Sequence, residues 1–205
     1  SNKAFYSCSS LSDIIIGSSV SIIEEGAFGR CPALSNIVVE SANTTYDSRD
    51  NCNSIIETKT NTLVVGCQNS FIPNGVISIG KYAFSYCSGL KSITIPNSVE
   101  NIQAAAFSGC SSLVNIAISE NVNYIGSSAF YQCASLASIN LPNCLTSIGS
   151  NAFSGCTSLT SIIIPESVEY IGFESFSGCT SLESITIPFV GNTLDGTTNT
   201  HFGYI

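Results

Sequence analysis

Charge is what this 205-residue chain has least of: six Lys and Arg, 14 Asp and Glu, 10% charged residues in all, and a formal net charge of −8. An ordinary soluble domain carries about 25%. Six scattered cations cannot neutralise a run of phosphates, so nucleic acid is excluded as a partner. Trp and Met are absent, and His201 is the one histidine. No apolar stretch approaches the roughly 20 residues needed to cross a bilayer, so this segment is expected to insert in no membrane, and no basic-then-apolar leader opens it. A chain without Met that begins Ser1-Asn2-Lys3 reads as a piece of a longer protein, with any export signal or anchor outside it. Disorder is excluded as well. With 44% hydrophobic residues and a mean hydropathy of +0.33, the chain can bury a sizeable core.

Cysteine, by contrast, is abundant. Seven of the ten cysteines, at 8, 31, 87, 110, 133, 156 and 179, fall on a 23-residue spacing, broken once by an interval of 56 that equals one period plus an insertion of 33. A fixed period marks an internal repeat. Aligned on Cys, the unit reads C-x-S-L-x-S-I-x-I-P-x-S-V-x-x-I-G-x-x-A-F-x-x, and residues Cys156 through Phe176 follow it closely. In Leu-x-x-Ile-x-Ile the apolar residues alternate with small polar ones, the period of a strand with one buried face. Pro96, Pro142, Pro165 and Pro188 end the strand, having no N–H for a ladder. The Val-x-x-Ile-Gly arc then turns the chain, with Gly80, Gly126, Gly149 and Gly172 available for positive φ. Ala-Phe-x-x-Cys returns it through a short helical or 3₁₀ turn whose Phe fills the core. One unit cannot bury its own apolar face, whereas stacked units can. The expectation is a right-handed, β-dominated solenoid of 23-residue units over residues 1–205, with one curved parallel sheet, short helical or 3₁₀ turns on its convex side and a C-terminal end segment at 189–205.

The unit LTSIIIPESVEYIGFESFSGC resembles the BspA-like, treponemal-type leucine-rich repeats of bacterial and protist surface proteins. The insertion and the C-terminal PFVGNTLDGTTNTHFGYI also resemble segments of gut-bacterial members. The resemblance implies an exported or cell-surface protein that binds host or matrix proteins. Departures are mild: Glu24 and Gln103 replace the arc Gly, Gly17, Glu40 and Ser119 replace Pro, and Ser175 replaces Ala.

The cysteines admit three readings: a metal site, a disulfide framework, or small buried fillers. No CxxC spacing supports metal. Recurrence at the repeat period favours one inward-facing line of free thiols. Cys52 and Cys67 stand apart, flanking NSIIETKTNTLVVG, which reads as a β-hairpin over 41–72 projecting from the solenoid. A turn at Lys59-Thr60 would place them opposite each other, so either a Cys52–Cys67 disulfide or two buried thiols is expected. Cys144 is read as incidental.

Catalysis fits poorly. His201 lies in a Gly/Thr/Asn tail without a visible acid-base partner and reads as part of an aromatic plug with Phe202 and Tyr204. The segment DSRDNCN lacks the spacing and closing Glu of a calcium loop, and no phosphate loop or cofactor motif occurs. The candidate binding face consists of the outward strand positions Ser92, Thr94, Asn115, Ala117, Ser138, Asn140, Ser161, Ile163, Ser184 and Thr186, continued by Asp13, Ile15, Asn36 and Val38. It carries few charges, and it lacks the Tyr, Trp and Arg anchors that dominate binding energy. Tyr6, Tyr86 and Tyr131, close behind the core Phe, and Tyr124 and Tyr170 in the arc serve as packing or as a second contact surface. The functional expectation is a non-enzymatic surface or secreted adhesion module with a host or matrix protein partner, and the alternative is a stalk-like spacer. Exposed core at a truncated solenoid end further implies end-to-end self-association.

Overall fold

The computed structural model describes residues 3–188, so the aromatic plug expected at His201 lies outside the described residues. Each repeat forms one level of a β-solenoid, and equivalent residues of successive levels pair 23 positions apart. The Leu-x-x-Ile-x-Ile segments form parallel strands as the alternation predicts, Asp13–Ile16 on Asn36–Val39, Ser92–Thr94 on Asn115–Ala117, and Ser161–Ile163 on Ser184–Thr186. Their central Ile residues point inward: Ile93, Ile116 and Ile162 are buried.

The expected single sheet is instead divided. The strand column breaks into three two-stranded ladders, and residues 138–140 keep the in-out alternation without forming a strand. The long continuous sheet is built from the arc, read above as a turn. Ser78–Ile79, Asn101–Ile102, Tyr124–Ile125, Ser147–Ile148 and Tyr170–Ile171 stack in parallel within an eight-stranded sheet. The arc glycines therefore serve close approach rather than positive φ. A Cβ on Gly126 would stand 2.5 Å from the backbone N of Ala104, and Cβ atoms on Gly149 and Gly172 would stand closer still to the backbone N of Ser127 and Ser150. Levels could admit them only by separating.

The Ala-Phe-x-x-Cys segments are turns, and the one helix among the described residues is the 3₁₀ turn Arg49–Asn51 in the insertion. Each turn carries two residues at positive φ, as at Asn151 and Gly155 or Ser128 and Gln132. The turns bond level to level, Phe107 N–H donating to Ala129 O and Phe130 N–H to Ala152 O. Phe84, Phe107, Phe130, Phe153 and Phe176 consequently lie in one column, with ring centroids 5.0 to 5.5 Å apart and planes within 8°. That separation suits offset aromatic stacking.

The insertion does not project. Ile55–Glu57 and Thr62–Val65 pair antiparallel, as a hairpin should, but Thr62–Val65 also pairs in parallel with Ser78–Ile79 and so extends the long sheet. Tyr46–Asp47 covers its other side. Both hairpin faces are buried. Tyr46, Ile55, Val65 and Cys67 join the N-terminal apolar cluster around Ile14, Leu34 and Ile37, whereas Cys52, Ile56 and Leu63 join the larger C-terminal cluster. The hairpin is thus a septum between two cores. Asn53 fastens it, its side-chain oxygen accepting from Ile37 N–H at 2.5 Å and its amide donating to Ser35 O at 2.8 Å.

The septum also explains why Cys52 and Cys67 remain free thiols. A bulge between Ile55 and Ile56 shifts the register by one residue, and a one-residue shift sends a side chain to the opposite face. The two sulfurs consequently belong to different clusters, Cys67 Sγ facing Asn53 O at 3.6 Å and Cys52 Sγ facing Ser54 O at 3.9 Å.

Candidate functional site

The repeat cysteines are built as interior donors. Cys110 Sγ lies 3.1 Å from Phe84 O, and Cys133, Cys156 and Cys179 sit at 3.2 Å from Phe107 O, Phe130 O and Phe153 O. Each thiol thereby satisfies a carbonyl of the level before it, a role beyond the expected space-filling. Burial pushes the thiols of Cys87 and Cys133 up to about 12, and drives Cys110 and Cys156 upward for the same reason. A thiol held protonated is a poor nucleophile or metal ligand. Cys8 departs from the expected line: it is exposed, because no described level stacks beneath it.

Every outward position named from the sequence is exposed, from Ser92 and Thr94 through Asn115, Ala117, Ser138, Asn140, Ser161 and Ile163 to Ser184 and Thr186. Most present hydroxyl or amide groups. Ile15 and Ile163 stand out at 71% and 69% exposure, with Val38 at 44%. Asp13 is the one charge among the outward strand positions; hydrogen bonds from the Ser12 hydroxyl and then the Asn36 amide hold its carboxyl below the usual range. A shallow cleft of about 260 Å³ opens where residues 138–140 leave the ladder, between Ser138, Asn140 and Asn143 on one side and Ser161, Ile163 and Pro165 on the other. Sequence periodicity missed this cleft, because the segment keeps the strand alternation and loses only its pairing.

No group of three His, Cys, Asp or Glu residues capable of holding a metal occurs among the described residues. In the DSRDNCN loop the Asp47 carboxylate is taken by Arg49, at 2.6 Å to Nη2 and 2.9 Å to Nε. Among the described residues no helix is long and apolar enough to cross a membrane.

A stack of 23-residue levels with inward Leu, Ile and Phe columns and a polar strand face defines a leucine-rich repeat solenoid. The chain belongs to the BspA-type leucine-rich repeat family, whose model matches residues 1–76 and 77–198 in six copies. No curated protein sequence matches it. Among solved structures it is similar to a leucine-rich cell surface protein of Faecalibacterium prausnitzii, with 35% identity and a TM-score of 0.77 over 86% of this chain and 48% of that one. The Treponema pallidum leucine-rich repeat protein is 32% identical, with a TM-score of 0.58 over 78% of this chain and 76% of that one. The pneumococcal vaccine antigen PcpA, at 22% identity and a TM-score of 0.78 over 87% of this chain and 45% of that one, shares the fold. The chain spans about half the length of the Faecalibacterium structure. Of these neighbours, the Faecalibacterium protein is described as a cell surface protein and PcpA as a vaccine antigen.

Proposed function

We propose that this solenoid is a non-enzymatic protein-binding module of a cell-surface or secreted protein, and that it contributes adhesion through its strand face to a host or matrix protein. The supporting observation is the cleft between residues 138–140 and Ser161–Ile163, where a large exposed Ile adjoins unspent amide and hydroxyl groups on a neutral surface. An exposed apolar residue rimmed by polar groups is the usual form of a contact site. Ile163→Glu places a charge at its centre without touching the core. Surface plasmon resonance against immobilised extracellular-matrix proteins should show binding by the native protein and a loss of about tenfold or more in the variant. Absence of binding by the native protein would favour the spacer, which the lack of aromatic and Arg anchors on this face would also suit.

We also propose end-to-end association of this chain, through its first level. Phe5 is 49% exposed and stacks on Phe28 at 5.1 Å, and its ring offers the next position of an aromatic column. Among the described residues, no strand pairs with Asp13–Ile16 on the side away from Asn36–Val39. Light scattering should report concentration-dependent assembly that Phe5→Ser reduces; a strictly monomeric native protein would remove the proposal.

A further inference from the structure

A second groove, of about 750 Å³, runs along the corner of the solenoid formed by the turns around each repeat cysteine. Its lining includes Arg30, Tyr86, Ser88, Ser111, Gln132 and Thr157, and no Asp or Glu. Three observations mark its N-terminal part as more than a by-product of stacking.

The first is charge. The Arg30 guanidinium lies 3.8 Å from the ring centroid of Tyr86 and donates to the Tyr86 hydroxyl. Its other neighbour is Tyr6, 5.9 Å away, over which the Lys3 ammonium sits at 4.7 Å. Neither cation is ion-paired; the ion pairs among the described residues are Arg49–Asp47 and Lys81–Glu25. Two of six basic residues therefore lie near the Tyr6 ring without an acidic partner among the described residues, on a chain of net charge −8.

The second is backbone conformation. The residue before each repeat Cys has positive φ, and at 109, 155 and 178 it is the Gly that such a backbone favours. Arg30 and Tyr86 hold the same conformation, at φ 58° and 59°. Ser7 and Gln132 do likewise, and all four of these non-glycine residues line the groove.

The third is placement by the insertion. Arg30 N–H donates to Ser85 O, so at this corner the second level stacks directly on a level 56 residues further along the chain. The septum is absent from this corner, and Arg30 meets Tyr86 because of it.

We propose that this groove binds an acidic polysaccharide, a carboxylate or sulfate group engaging Arg30 while sugar hydroxyls bond along Ser88, Ser111, Gln132 and Thr157, with Lys3 adding positive charge beside Tyr6. Arg suits such anions because its planar fork can donate two parallel bonds, and one N–H end is already oriented by the Tyr86 hydroxyl. A peptide fits less well. Backbone donors along the groove are spent between levels, Tyr86 N–H on Ser108 O, Gly109 N–H on Tyr131 O and Gln132 N–H on Ser154 O, which leaves no open edge for strand addition. The proposal is independent of the strand-face reading, since it concerns a different surface and ligand.

Isothermal titration with polygalacturonate, and with neutral galactan as control, tests it. Binding of the acidic polymer alone is expected, weakened by about 0.5 M NaCl. Arg30→Gly removes the guanidinium while giving the backbone the residue it prefers, so the variant should fold, with an unchanged or raised thermal midpoint, and lose about tenfold in affinity. Lys59→Ala makes the same change of charge at the exposed hairpin tip and should lose nothing. Equal losses in the two variants, equal binding of the neutral polymer, no binding of polygalacturonate, or Arg30-dependent capture of a polyglutamate peptide in place of polysaccharide would each overturn the proposal.

Discussion

Leu63→Asp is expected to yield a chain that no longer unfolds in a single cooperative step. Leu63 is fully buried in the hairpin septum, within the cluster that holds Ile56, Ile79 and Phe84. An unpaired carboxylate there costs on the order of 5 kcal/mol, comparable with the whole stability of a typical domain, about 5–15 kcal/mol. Excising residues 41–72 should be as damaging, because Ile14 and Leu34 on one side and Ile79 and Phe84 on the other would lose the wall they share. Circular dichroism during urea titration checks both. Lys59→Ala, at the exposed tip of the same hairpin, should unfold as the native chain does. A cooperative Leu63→Asp transition with an unchanged midpoint would show that the hairpin is peripheral after all.

Steep loss of stability above pH 9 is the second large effect. An ordinary thiol ionises near 9, whereas in the folded chain Cys87 and Cys133 hold their protons to about 12, with Cys110 and Cys156 also raised by burial. Between those values the unfolded state releases protons that the folded state keeps. The stability contributed by these neutral thiols is therefore fully present below pH 9 and lost as pH climbs toward 12. Each thiol accounts for about 1.4 kcal/mol per pH unit, and four together for about 5 kcal/mol per unit. Thermal midpoints at several values between pH 8 and 11 should stay level and then fall sharply, and Cys133→Ala should make the fall shallower by one thiol's share. An unchanged slope in that variant would assign the alkaline transition to Tyr and Lys instead.

Much of this fold could be read because its signals recur. Seven cysteines on one period, with Leu, Ile and Phe at fixed offsets, determine the level and its inward residues, and strict alternation in Ser-Ile-x-Ile places Ser92, Asn115 and Ser161 outside. The arc escaped because its strands have two residues each, too few to display a period. The turn backbone escaped because Tyr82, Ala105, Ser128, Asn151 and Glu174 take positive φ without a glycine to announce it. Misreading the hairpin as a projection had a signal that was available. Ile55-Ile56 and Leu63-Val64-Val65 are consecutive apolar residues rather than an alternation, the pattern of strands buried on both faces. The Arg30–Tyr86 contact had none: 56 residues separate them, and only the course of the insertion brings them together.

Such a septum also bears on how the solenoid would respond to force. Contacts elsewhere run from one level to the next, so tension along the axis should detach levels one by one, each yielding about as readily as its neighbour. At residues 46–67 that uniformity ends, since the hairpin strands interleave with both cores and are fastened to the second strand by Asn53. A tether pulled from either end would meet a bulkhead there, dividing the molecule into two mechanical compartments of unequal length.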